Sequence, residues 1–161
     1  MKRVEIKEIK KTDNEIIARV IRDVLTEHGV NKPGTVFTDP TTDHLFELFE
    51  KDKSFYYIVW LNEQIVGGCG VFPTKGLAEG CAELVKLYVL KKARGLGLGK
   101  ELMERCAENA KKLGYQKLYL ETLPELSNAV KLYESLGYER LDEPLGDSGH
   151  FACNLWMLKE L

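Results

Sequence analysis

Between Arg94 and Lys100 the chain reads Arg94-Gly95-Leu96-Gly97-Leu98-Gly99-Lys100, with a glycine at every second position. Such a turn leaves a row of backbone N–H groups unshielded by side chains. Downstream, Leu98, Leu102, Cys106, Ala110 and Leu113 recur at helical spacing. The turn therefore opens a helix, whose first N–H groups have no intrahelical partner and carry a partial positive charge. The chemistry this allows is anion binding, most naturally of a phosphate or pyrophosphate. A glycine-rich connection with no ligand is the plain alternative. Each glycine inside a helix start costs about 1 kcal/mol, and packing alone gives nothing in return for three of them.

Spacing separates the nucleotide loops from one another. A P-loop needs glycine where Arg94 stands and serine or threonine where Glu101 stands, so it is excluded. A dinucleotide fingerprint needs glycine where Lys100 stands, and it too is excluded. The pattern that fits is R-x-x-G-x-G, on Arg94, Gly97 and Gly99. It resembles the acetyl-CoA pyrophosphate loop of the GNAT superfamily of N-acetyltransferases. The resemblance implies cofactor contacts from Arg94, Gly95, Leu96, Gly97, Leu98, Gly99 and Lys100. A second segment, Asn128-Ala-Val-Lys-Leu-Tyr133-Glu-Ser-Leu-Gly137-Tyr138, is similar to the family stretch N-x-x-x-x-Y-x-x-x-G-[FY]. It implies that Asn128 hydrogen-bonds the cofactor and that Tyr133 protonates the departing thiolate. The acid–base chemistry agrees, since a thiol titrates near about 8.5 and a phenol near about 10. Tyr133 also lies on the apolar stripe of its helix, so a core tyrosine with a satisfied hydroxyl is the competing reading.

Acyl transfer to an amine requires the neutral amine, because the ammonium has no lone pair. Glu83 is the candidate base. It sits among apolar and small neighbours at the start of a strand, where partial desolvation would raise its pKa. A strand-end carboxylate facing solvent is the alternative. The resemblance further implies that the thioester carbonyl meets backbone N–H groups near Leu87, Tyr88 and Val89. It puts the acceptor pocket at the loop over 30–38, the second helix and the loop over 144–150, with Phe37, Asp39, Asp147 and His150 as its candidate lining. Asp147, Ser148 and His150 hold the residue types of a hydrolase triad, but within four positions. A triad draws its members from separated elements. His28 and His44 have no partners at ligand spacing, so helix-end or surface roles and no metal site are expected.

Several elements must hold these residues in place. The run over 82–90 is apolar on both alternating faces apart from Glu83 and Lys86, the pattern of a strand covered on both sides. Before it, alternation over 3–9 predicts a strand and 12–15 a capping box. A helix follows with Ile17, Val20, Ile21, Val24, Leu25 and His28 on one stripe, ended by Gly29. A short helix starts at Pro40 or Thr42. Strands over 55–61 and 64–72 meet in a tight turn at Asn62-Glu63, and Gly67, Gly68 and Gly70 predict a bulge or a close backbone approach. After the glycine-turn helix come a strand over 117–122, a helix over 127–136, and strands over 138–141 and 150–158. Strand runs mixed with strand–helix–strand units predict a single α/β domain over 1–161. Its mixed sheet has about seven strands flanked by four helices, an order similar to the GNAT fold.

At 161 residues and a formal net charge of -2, the chain offers no basic field for nucleic acid. The first residues carry charges where a secretory leader needs an apolar core, and the longest apolar run, 55–61, is too short to cross a bilayer. Cys69, Cys81, Cys106 and Cys153 include no C-x-x-C pair, which favours reduced thiols. A cytoplasmic monomer or homodimer is expected, with no nucleic-acid or membrane partner. The expected activity is transfer of an acetyl group from acetyl-CoA to a primary amine of a small molecule, amino acid or peptide, by direct attack. The competing class is a non-catalytic acyl-CoA-binding sensor or regulatory module, which would need neither Glu83 nor Tyr133.

Overall fold

The alternation at the start of the chain gives β1 (Val4–Glu8), an edge strand that pairs antiparallel with β2 (Phe55–Leu61). The computed structural model describes residues 2–161. β2 turns directly into β3 (Gln64–Phe72) through Asn62 and Glu63, both at positive φ (49° and 67°), the twist that a two-residue hairpin requires. β3 pairs antiparallel with β4 (Cys81–Val89). β5 (Lys117–Thr122) then joins β4 in parallel, and β7 (Leu155–Glu160) lies between β5 and the short β6 (Glu139–Leu141). The sheet has seven strands in the order β1-β2-β3-β4-β5-β7-β6.

Four helices cover it: α1 (Asn14–Glu27), α2 (Leu45–Leu48), α3 (Leu98–Lys112) and α4 (Ser127–Ser135). Two apolar cores result, one on each face. On one, Ile17, Val20, Ile21 and Leu25 of α1 pack with Leu45 of α2, Tyr56, Ile58 and Ile65. On the other, Leu98, Leu102, Met103, Cys106 and Ala110 of α3 and Tyr133 of α4 pack on Val59, Val66, Leu84 and Leu118. The glycines of β3 permit this packing. A Cβ on Gly67 would stand 2.3 Å from the Tyr88 carbonyl oxygen, and one on Gly68 2.5 Å from the Tyr56 ring.

Among the differences from the sequence expectation, three are informative. The last strand begins at Leu155, not at 150, because Ala152 N–H donates to the Gly34 carbonyl (3.0 Å) and His150 turns inward to Asp39. The segment is thus drawn off the sheet toward the loop before α2. The strand over 138–141 begins at Glu139, since Tyr138 turns its ring into the core. The expected box over 12–15 is replaced by a 3₁₀ turn over Lys11–Asp13, in which Asp13 Oδ2 accepts from Lys10 N–H at 2.8 Å. Asn14 instead bridges to the next helix, accepting from Phe46 N–H (2.8 Å) and donating to Glu47 (2.7 Å).

Candidate active site

The glycine turn is held open by its own backbone. Gly95 and Gly97 have φ of 82° and 74°, a region that residues with a Cβ rarely enter, and nothing lies within 4 Å of where either Cβ would project. Gly97 is the N-cap of α3, so the free N–H groups of the first turn look into this open space. Gly99 differs, since a Cβ there would meet the Leu132 side chain at 3.1 Å. It lets α3 and α4 approach. Between them lies a cavity of about 390 Å³. Leu87, Tyr88, Val89, Arg94, Gly95, Gly97, Leu98, Gly99, Lys100 and Asn128 all border it. Leu96 does not, because it packs on the core under the turn. Arg94 borders the cavity, but its guanidinium is already engaged. It donates to both carboxylate oxygens of Glu27 (2.6 and 2.9 Å) and through Nε to the Val89 carbonyl (3.0 Å). That pairing holds the Glu27 carboxyl below its ordinary range.

The cavity exists because two neighbouring strands separate. β4 and β5 are paired only at Cys81–Lys117, Ala82–Leu118 and Glu83–Tyr119. Beyond Glu83, β4 has no paired strand on that side among the described residues. A bulge lies in the same stretch, where the β3–β4 register slips between Gly68 and Gly70 and Lys86 adopts φ 55°. The extra residue inverts the alternation. Ala82 and Leu84 face the α3 core before it, whereas Leu87 and Val89 do so after it. Tyr56 locks the bulge by donating its hydroxyl to the Lys86 carbonyl at 2.8 Å.

A second, smaller cavity of about 40 Å³ adjoins the first, sharing Leu87, Tyr88 and Leu126 as walls. Glu83, Lys86, Glu121, Tyr133, His150 and Cys153 border it. Glu83 is 4 % exposed and accepts a hydrogen bond from the Thr74 hydroxyl at 2.5 Å. Burial raises its carboxyl to about 7; the Thr74 bond works against the shift and the nearby Glu121 carboxylate works with it. Tyr133 is buried, and burial lifts its phenol well above the ordinary value. His150 Nε2 meets Asp39 Oδ2 at 2.9 Å across 111 residues of chain. That bond, together with the Thr41 contacts, holds the Asp39 carboxyl far below its usual range. Burial pushes the Cys153 thiol up to about 12, so it is not a thiolate nucleophile at neutral pH.

Of the four residues expected around the acceptor, Asp39 and His150 come together at this cavity, His150 in its wall. Phe37 and Asp147 do not border it. Phe37 packs on the α1 core and its carbonyl accepts from Arg22 Nε (3.3 Å), while Asp147 is exposed with its N–H donated to the Lys75 carbonyl (2.7 Å). Ser148 and Tyr119 both donate their hydroxyls to Glu121. Sequence reasoning missed Lys86, Glu121 and Thr35 in the small cavity and Val24 and His28 in the large one. The one available signal was the pair of charges, Glu83 and Lys86, inside an otherwise apolar strand.

Comparison with known proteins agrees with this architecture. The model of the Acetyltransferase (GNAT) family matches residues 21–138. The chain is 40% identical over 150 residues to the uncharacterized N-acetyltransferase YjgM of Escherichia coli strain K12, covering 92% of this chain and 90% of that protein. Among solved structures, a GNAT-family acetyltransferase from Staphylococcus aureus Mu50 superposes with a TM-score of 0.84 at 20% identity over 99% of each chain. A phosphinothricin acetyltransferase from Sinorhizobium meliloti, solved in complex with AcCoA, superposes with a TM-score of 0.76 at 16% identity, over 98% of this chain and 88% of that one. The chain belongs to the GNAT family of acetyltransferases.

Proposed function

We propose that the protein transfers an acetyl group from acetyl-CoA to the primary amine of a small molecule, amino acid or peptide, by direct attack and without an acyl-enzyme. The observation that carries this reading is the pair of adjoining cavities along β4. An open, amide-lined one lies at the glycine turn, and a small one containing a buried carboxyl lies beside it. The glycine turn fits a pyrophosphate, because Gly95 and Gly97 leave their backbone approachable on the cavity side. Asn128 at the start of α4, and the β4 backbone over 87–89 where β5 has parted, would hold the rest of the carrier; that they border the large cavity supports this reading. Acetyl-CoA would supply the activated acetyl thioester.

This chain's residues would move the protons. Glu83, titrating near 7, takes the proton of a bound ammonium and frees its lone pair. The nitrogen bonds the acetyl carbon as the carbon–sulfur bond breaks. Tyr133 gives its hydroxyl proton to sulfur, and the nitrogen's surplus proton restores the phenol through solvent. Burial disfavours the Tyr133 phenolate, and it would disfavour a thiolate brought beside it as well. The protonated Cys153 thiol supports direct attack over a ping-pong route.

The test is thiol release from acetyl-CoA in the presence of a panel of amines, with the acetylated product identified by mass spectrometry. Amine-dependent release is expected. Tight acetyl-CoA binding with no release for any amine would overturn catalysis and leave a binding module.

A further inference from the structure

Lys86 is 8 % exposed and borders the small cavity, yet among the described residues its Nζ has neither a hydrogen-bond acceptor nor a carboxylate within 4.0 Å. The other charged side chains there are all engaged. Glu83 holds the Thr74 hydroxyl, Glu121 holds those of Tyr119 and Ser148, and Asp39 holds His150 and Thr41. An ammonium without a counter-ion on a side chain this enclosed is costly to keep. At φ 55° Lys86 also holds a backbone conformation that residues with a Cβ rarely adopt. Packing requires neither, since Val85 and Leu87 on either side are apolar.

We propose that Lys86 binds a carboxylate of the acceptor, so that the substrate class is an amine that carries its own carboxylate, such as an α-amino acid. This rests on the acetyl-transfer reading above. Glu83 and Lys86 lie on the same strand and border the same cavity. A zwitterion would set its ammonium against the first and its carboxylate against the second, giving each charge an opposite partner. The cavity is about 40 Å³ beside a neighbour of about 390 Å³, which suits a short polar group rather than a long chain. Burial lowers the Lys86 pKa, and the negative charges of Asp39 and Glu83 work against that shift, as a bound carboxylate also would. An acceptor lacking the carboxylate leaves that ammonium unpaired and is discriminated against.

The experiment compares the proteinogenic α-amino acids with their carboxamides as acceptors, using wild type, Lys86→Met and Lys86→Gln. At least one acid should exceed its amide by tenfold or more in kcat/KM, and in both variants that acid-to-amide ratio should fall to about one. A wild-type ratio of one or less, or a ratio that survives in folded variants, overturns the carboxylate site and leaves acetyl transfer standing. If neither acids nor amides are acetylated, the wider amine panel above decides acetyl transfer itself. Calorimetry of the same acid–amide pairs on the CoA-loaded protein then decides the carboxylate site alone. Tighter binding of the acid, lost in Lys86→Met, upholds it, and equal binding overturns it.

Discussion

Arg94 makes two hydrogen bonds to Glu27, at 2.6 and 2.9 Å, across 67 residues of chain. The pair joins the last turn of α1 to the residue that enters the glycine turn, and Arg94 Nε simultaneously caps the Val89 carbonyl. The pair is about one-third exposed, so its effect on stability is small. Its effect is on the shape of the turn. Glu27→Ala should therefore raise the KM for acetyl-CoA about threefold to tenfold, about 0.7 to 1.4 kcal/mol, with kcat nearly constant. Steady-state kinetics check this; an unchanged KM would mean that the turn holds its shape without the pair.

Gly97→Asp would put a carboxylate in the open space above the first turn of α3, where nothing now lies within 4 Å. The damage is electrostatic, together with the strain of φ 74°, and involves no collision. CoA affinity should fall at least tenfold, about 1.4 kcal/mol, with the circular dichroism spectrum retained. Unaltered affinity in the folded variant would remove the pyrophosphate assignment.

Glu83 links activity to stability. Its carboxyl titrates near 7 in the folded protein and near 4.5 as a free side chain. Between these values the folded state holds the extra proton. This group therefore favours folding least once pH exceeds 7, and the lost stability is of order 3 kcal/mol. Glu83→Gln should be more stable than wild type at pH 8, and the advantage should shrink toward pH 4.5. Its activity should move the other way. The acidic limb of kcat/KM, expected near 7 in wild type, should shift up toward the pKa of the acceptor amine. Thermal melts and pH–rate profiles read both effects. A uniform loss at every pH would reassign Glu83 to positioning.

Tyr133→Phe removes one hydroxyl and keeps the ring that packs edge-on to Tyr138, with centroids 6.1 Å apart. Tyr133 borders the small cavity, and among the described residues its hydroxyl makes no hydrogen bond, so its removal strands no partner and Tm should hardly move. General-acid assistance is typically worth about 10² to 10⁴ in rate. A kcat loss in that range at constant KM for acetyl-CoA is the expected pattern, the mark of an interaction made only in the transition state. Wild-type turnover in the variant would return Tyr133 to a packing role.

Much of this protein is legible without coordinates. The element order follows from periodicity, because an apolar stripe at helical spacing or a two-sided apolar run has few other ways to be buried. The run from Gly95 to Gly99 makes an anion site the expectation by chemistry alone, since closely spaced glycines expose amides whatever the surrounding fold. The two charges in an otherwise apolar β4 mark where the small cavity lies. What the sequence leaves open depends on distant segments meeting. The Arg94 guanidinium has one charge to satisfy, and only the folding of α1 decides that Glu27 satisfies it. His150 and Asp39 pair because the segment before β7 is drawn in toward Gly34. The role proposed for Lys86 depends on a single-residue bulge, invisible in a pattern of period two, that inverts the faces of β4 and sets Lys86 and Glu83 on one cavity wall.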